Sequence, residues 1–115
     1  MPHFTPDGFI YLQPGDVKVP YTFGFTICSS ATANDGNIPY GATVSSIAVS
    51  THKADGTAVT DIVVGTPSIT SNVITMTLSY PSTSGVGQYH IKMLLTLSTT
   101  AVLEFVFGRV VAMDL

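Results

Sequence analysis

From residue 17 to residue 28, VKVPYTFGFTIC, apolar side chains fall on the odd positions (Val17, Val19, Tyr21, Phe23, Phe25, Ile27) and Lys18, Thr22, Gly24 and Thr26 on the even ones. A period of two is the mark of a β-strand with one buried face. Pro20 has no N–H to give to a ladder, so this strand belongs at a sheet edge or breaks near that residue. Residues 29 to 41, SSATANDGNIPYG, collect Ser, Asn, Asp, Gly and Pro and read as a loop. ATVSSIAVSTH, residues 42 to 52, returns to strand character with a phase shift between Val44 and Ile47 that predicts a bulge.

Asp55-Gly56 is a turn signal, after which AVTDIVV, residues 58 to 64, reads as a short strand. GTPSITS is expected to turn the chain. NVITMTLSY, residues 72 to 80, then puts Ile74, Met76, Leu78 and Tyr80 inward and Thr75, Thr77 and Ser79 outward. PSTSGVG, residues 81 to 87, is a further turn cluster, and QYHIKMLLTLS places Tyr89, Ile91, Met93, Leu95 and Leu97 on one face. A short loop at 98 to 100 leads into the last strand, AVLEFVFGRVVAM.

No segment repeats apolar residues at three- and four-residue spacing over a helix length. Six to seven antiparallel strands without a helix predict an all-β fold, an immunoglobulin-like β-sandwich, with a small barrel as the alternative. The domain is expected over residues 17 to 115, preceded by an extended N-terminal arm at 1 to 16. In the arm, Pro2, Pro6, Pro14, Gly8 and Gly15 exclude a helix or a central strand. Phe4, Phe9, Ile10, Tyr11 and Leu12 make it too apolar for a free tail.

The last two strands hold more apolar residues than one core requires. Closed by a three-residue loop, the hairpin pairs Leu95 with Leu103, Met93 with Phe105 and Ile91 with Phe107, which joins the two apolar faces. A one-residue slip would set core positions against solvent. The same register sets Leu94 opposite Glu104 and Lys92 opposite Val106, leaving Lys92 and Glu104 as diagonal neighbours that can attract. A second face of Leu94, Val102, Val106, Val110 and Ala112 is left around that ion pair. Arg109 falls on the inward parity, so the strand must leave the core or change phase near Gly108. Contiguous apolar surface of this kind marks an interface. Its cover is either the arm, folding back with Phe4, Phe9 and Tyr11, or a partner.

Composition narrows the function. Of 115 residues 45% are hydrophobic and 10% charged, against about 25% charged in an ordinary globular domain. Four basic residues, Lys18, Lys53, Lys92 and Arg109, within a net charge of -3 cannot build the cationic surface that a phosphate backbone requires, so nucleic acid is not an expected partner. Cys28 is the one cysteine, so an intrachain disulfide is excluded, and it reads as a small hydrophobe at a strand end. The first residues lack a basic stretch followed by an apolar run, and no apolar span reaches membrane length, so no secretion signal and no membrane are expected.

Catalytic chemistry finds little to work with. The carboxylates Asp7, Asp16, Asp35, Asp55, Asp61, Glu104 and Asp114 are scattered, mostly in turns, and no pair is spaced for acid and base roles. His3, His52 and His90 lie in the arm, at a strand end and on a polar face, without the convergence a metal needs. The loop around Asp35 lacks the alternating ligands of an EF-hand. The glycines of STSGVG precede a strand rather than a helix and cannot cradle phosphate. No enzyme, metal or cofactor is expected.

From Tyr21 through Val111 the layout resembles the small immunoglobulin-like virion proteins of tailed bacteriophages. The matching stretches are YTFGF, IPYGATVSSIAV, the DGT turn at 55 to 57, SGVGQYHI and the terminal hydrophobic hairpin. The tryptophans often found near the first strands of such proteins are missing. The resemblance implies a virion structural protein without enzymatic activity, a capsid decoration or cement protein that stabilises the assembled shell non-covalently. Its partners would be the major capsid protein or another virion protein, and further copies of itself in a homo-oligomer. Assembly would take place in the host cytoplasm. Phe4, Phe9, Tyr11, Leu94, Val102, Glu104 and Val106 are the expected contact residues. The alternative is a tail or baseplate adhesin binding host surface carbohydrate, for which Tyr40 and Tyr80 are the aromatic candidates.

Overall fold

In the computed structural model, which describes residues 9 to 114, eight strands form two sheets and no described residue is helical. In chain order they are β1 (Ile10–Leu12), β2 (Val19–Gly24), β3 (Val44–Lys53), β4 (Ala58–Val59), β5 (Val63–Thr70), β6 (Val73–Leu78), β7 (Gly87–Leu97) and β8 (Val102–Ala112). One sheet has the order β1-β8-β7-β3-β4 and the other β2-β6-β5. Among the eight described strands the pairings are antiparallel except β1 with β8, which is parallel.

The sheets close on one another because each strand sends alternate side chains to a shared core. Tyr21, Ile74, Met76 and Leu78 enter from the three-stranded sheet, and Tyr89, Ile91, Met93 and Leu95 from the five-stranded one, all buried in a single cluster. Aromatic rings lock the layers: Phe23 meets Phe107 edge-on with centroids 5.4 Å apart, and Phe25 meets Phe105 at 4.9 Å. Offset and edge geometries of this kind suit the ring quadrupoles. The result is a β-sandwich-like all-β molecule. Pro20 sits on β2, an edge strand, where its missing donor costs no ladder bond.

The terminal hairpin takes the register that parity dictates. Ile91 pairs with Phe107, Met93 with Phe105, Leu95 with Leu103, Leu94 with Glu104 and Lys92 with Val106. The Leu97 N–H closes the loop on the Ala101 carbonyl at 2.8 Å. The expected irregularity in β3 is also present, as a shift in pairing with β7 between Val44 and Ser46.

Several expectations are corrected. Val110 and Ala112 do not belong to the second face: both are buried in the core. Tyr89 pairs with Val110 and Ile91 with Phe107, so β8 carries one extra residue around Gly108 and Arg109, and this bulge inverts the parity of everything after it. The Gln88 Nε2 holds the bulge by donating to the Gly108 carbonyl at 2.7 Å. Val17 is 66% exposed rather than inward, because Lys18 adopts a φ of 55° and breaks the strand before Val19.

Residues 58 to 64 are not one strand, since β4 ends at Val59 and β5 begins at Val63. β5 then continues through the stretch expected to turn. Gly65 and Pro67 mark a break in pairing between Val64 and Ser68 instead. The turn itself is Ser71-Asn72, with φ of 49° and 64°, a two-residue loop of the type I′ class that matches strand twist.

The arm also contributes to the sheet. Ile10 and Leu12 are fully buried, and β1 runs alongside Val110 to Ala112 at the sheet edge. Phe4 lies outside the described residues, as does His3.

Candidate functional site

The outer face of the five-stranded sheet, away from the shared core, gathers the described residues expected to make contacts. On β8 the outward positions are Val102, Glu104 and Val106, with Val102 58% and Val106 54% exposed. On β7 they include Lys92 and Leu94, both half-buried, between Ala48 and Ser50 of β3 on one side and β8 on the other. The Lys92 Nζ lies 3.3 Å from the Glu104 carboxylate, with the two side chains 39% and 53% exposed to solvent. An exposed pair of this kind contributes little to stability. It is therefore available to act on whatever approaches.

β1 extends this face. Since Tyr11 pairs with Val111 and Ile10 with Val110, the side chains of Phe9 and Tyr11 stand on the outward side while Ile10 and Leu12 fill the core. The Phe9 and Tyr11 rings stack with centroids 5.9 Å apart, and the Arg109 guanidinium sits 5.8 Å above the Phe9 ring. That contact anchors the arm through the bulge, as a cation over an aromatic face. The described part of the arm adds an edge strand instead of lying across the second face. Val102 and Val106 stay exposed.

Beside Val106 the face dips into an open depression of about 290 Å³ lined by His52, Lys53, His90 and Lys92. His52 and His90 are paired across β3 and β7, and the Ser50 hydroxyl meets the His52 Nε2 at 3.1 Å. The His90 ring packs over Gly108 at the bulge. The depression holds imidazole and ammonium groups without a carboxylate in its lining. Among the described residues no group of three or more His, Cys, Asp and Glu is placed to hold a metal ion.

The other candidates are accounted for by local structure. Asp35 accepts from the Ser29 N–H at 3.0 Å and the Ser29 hydroxyl at 2.6 Å, which hold its carboxyl below the usual range and close the loop on itself. The half-buried Cys28 thiol faces the Gly36 carbonyl at 3.6 Å. Tyr80 packs against the core, whereas Tyr40 is 59% exposed.

Sequence reasoning missed one corner. The Tyr89 hydroxyl donates to the Gly85 carbonyl at 2.6 Å, and burial, then the nearby Asp61 charge, push its pKa up. Asp61 accepts from the Thr83 and Ser84 N–H groups and the Ser84 hydroxyl at 3.1, 2.8 and 2.7 Å. Tyr89 ties the 81 to 87 turn to the start of β7, and Asp61 ties it to the link between β4 and β5. A Tyr opening a strand just after a Gly-containing turn is the signal that could have found it.

Comparison with protein-family models, with characterised proteins and with solved structures gives no match for this chain.

Proposed function

We propose that this chain is a non-enzymatic structural protein of a tailed-phage virion, a decoration or cement protein with immunoglobulin-like topology that joins the assembled shell through its outer sheet face. The topological part rests on the strand order. Lettering β1 to β8 as A′, B, C, C′, D, E, F and G turns the two sheets into A′-G-F-C-C′ and B-E-D, the division used by immunoglobulin sandwiches with a switched first strand. The Tyr89 to Gly85 bond occupies the place of the tyrosine corner of that fold. Ile91 stands two residues later, where antibody domains carry a cysteine, in keeping with a chain that has one cysteine.

The observation that carries the functional reading is the continuity of the outer face. Phe9 and Tyr11 from the arm and Leu94, Val102, Glu104 and Val106 from the hairpin lie on the same side of the same sheet. Exposed valines beside half-buried aromatics are a surface built for burial against protein, and burying each larger side chain contributes on the order of 1.5 kcal/mol. Whatever binds only the assembled shell stabilises it by mass action. The virion address comes from the resemblance over residues 21 to 111.

Mass spectrometry and electron cryomicroscopy of gradient-purified particles of the encoding phage test this reading. The chain in many copies on the shell exterior is the expected result. Its absence from particles overturns the reading. Confinement to the tail, with glycan binding lost on Tyr40→Ala, would establish the adhesin alternative.

A further inference from the structure

The outer face carries a pattern that is complementary to itself. Lys92 stands opposite Val106 and Leu94 opposite Glu104, so four outward side chains mark the corners of a rectangle of roughly 6.8 Å along the strands by 4.8 Å across them. One diagonal joins Lys92 to Glu104, already 3.3 Å apart at their charged atoms. The other joins Leu94 to Val106. Opposite charges share one diagonal and apolar side chains the other.

We propose that the occupant of this face is a second copy of the chain, docked face to face about a two-fold axis that lies in the interface along the Leu94–Val106 diagonal. This deepens the assembly reading above and rests on it for the role of the face. Turning a copy over about that axis lays Leu94 on Leu94 of the second copy and Val106 on Val106. It also sets Lys92 over Glu104 of the second copy, and Glu104 over its Lys92. The four charges then alternate in a ring, each cation between two carboxylates, with the Leu94 and Val106 contacts at its two ends on the axis. An isologous interface requires this kind of self-matching. A face with two like charges on that diagonal would repel its own copy.

The geometry also sets the strength. The axis lies roughly 35° from the strands, so those of the two copies cross at roughly 70°, near the orthogonal class of sheet packing. The three long strands β3, β7 and β8 make a band about 14 Å across, with the short β1 and β4 at its margins, and two such bands crossing at that angle overlap over about 200 Å² of each copy. Stable complexes bury about 800 Å² per partner. The dimer is accordingly small and reversible, which suits a subunit that must exchange onto a larger assembly.

Sedimentation velocity at concentrations up to about 1 mM tests the proposal on four proteins, with circular dichroism to verify folding. Wild type should associate reversibly, while Lys92→Glu and Glu104→Lys each associate at least tenfold more weakly. Mixing those two variants in equal amounts should restore association as a heterodimer, because the swapped charges match across the two-fold. The double variant carrying both changes should again dimerise with itself. A wild type that stays monomeric, variants that associate as wild type does, or a mixture that stays monomeric overturns the proposal. Particle incorporation, measured in parallel, separates the two readings. Monomers that still join particles remove only the dimer, and dimers that never join particles remove only the virion role.

Discussion

The Tyr89 hydroxyl donates a 2.6 Å hydrogen bond to the carbonyl of Gly85, four residues upstream, and so pins the 81 to 87 turn to the first residues of β7. Tyr89 is 1% exposed and Gly85 half-buried, so removing the hydroxyl takes from the Gly85 carbonyl a partner that water replaces only in part. Tyr89→Phe should lower stability by about 1 to 2 kcal/mol, read as a shift of the urea midpoint with an unchanged slope. Equal midpoints for the two proteins would show that the bond contributes nothing to holding the turn.

Asp61 gives this corner its pH dependence. Partial burial acts to raise its pKa, but the Ser84 hydroxyl and the Ser84 and Thr83 N–H groups outweigh it, and the net direction is down from 3.8. A carboxyl depressed in the folded state adds stability that is fully present above its unfolded pKa and is lost as pH falls through the folded one. Between pH 7 and pH 5 this contribution should therefore be flat, with loss setting in below about pH 4. Asp61→Asn should remove that portion of the acid loss. If the variant and wild type lose stability in parallel from pH 5 to pH 2, Asp61 is not the group responsible.

Val106 and Val110 lie on the same strand at the same spacing from one another as two outward residues, yet the bulge at Gly108 and Arg109 separates them into surface and core. Val110→Asp buries an uncompensated carboxylate and should unfold the protein or cost more than about 3 kcal/mol. Val106→Asp should change stability by no more than about 0.5 kcal/mol while abolishing association. Thermal melts of the two variants side by side decide the matter. Similar melting temperatures would mean that the parity of β8 does not change at Gly108.

The terminal hairpin was legible because β7 and β8 are long and carry apolar residues of one parity, so that only one register joins Met93 to Phe105 and Ile91 to Phe107. The phase change was legible too, from Arg109 falling inward, but its effect on Val110 and Ala112 depends on which residue the bulge absorbs. β1 left no local trace. Three residues, Ile10–Leu12, pair in parallel with the far end of the chain, and a pattern read over neighbouring residues cannot report a partner that distant. The placement of Phe9 and Tyr11 beside the hairpin face depended on that pairing. Gly65 and Pro67 misled for a different reason, since both signal a break in the ladder and only the tertiary pairing decides whether the chain turns there or bulges.

If the outer sheet face is covered by protein in the working assembly, position 106 must lose its access to solvent there. In a Cys28→Ser background, a cysteine introduced by Val106→Cys should react freely with a bulky maleimide when the protein is dilute and isolated. In assembled particles its labelling should slow at least tenfold. A cysteine introduced by Val73→Cys, on the opposite face of the sandwich where the native side chain is 38% exposed, serves as the reference and should label at the same rate in both states. Slowed labelling at 106 with unchanged labelling at 73 is the predicted result. Equal, undiminished rates at both positions in the assembly would contradict it.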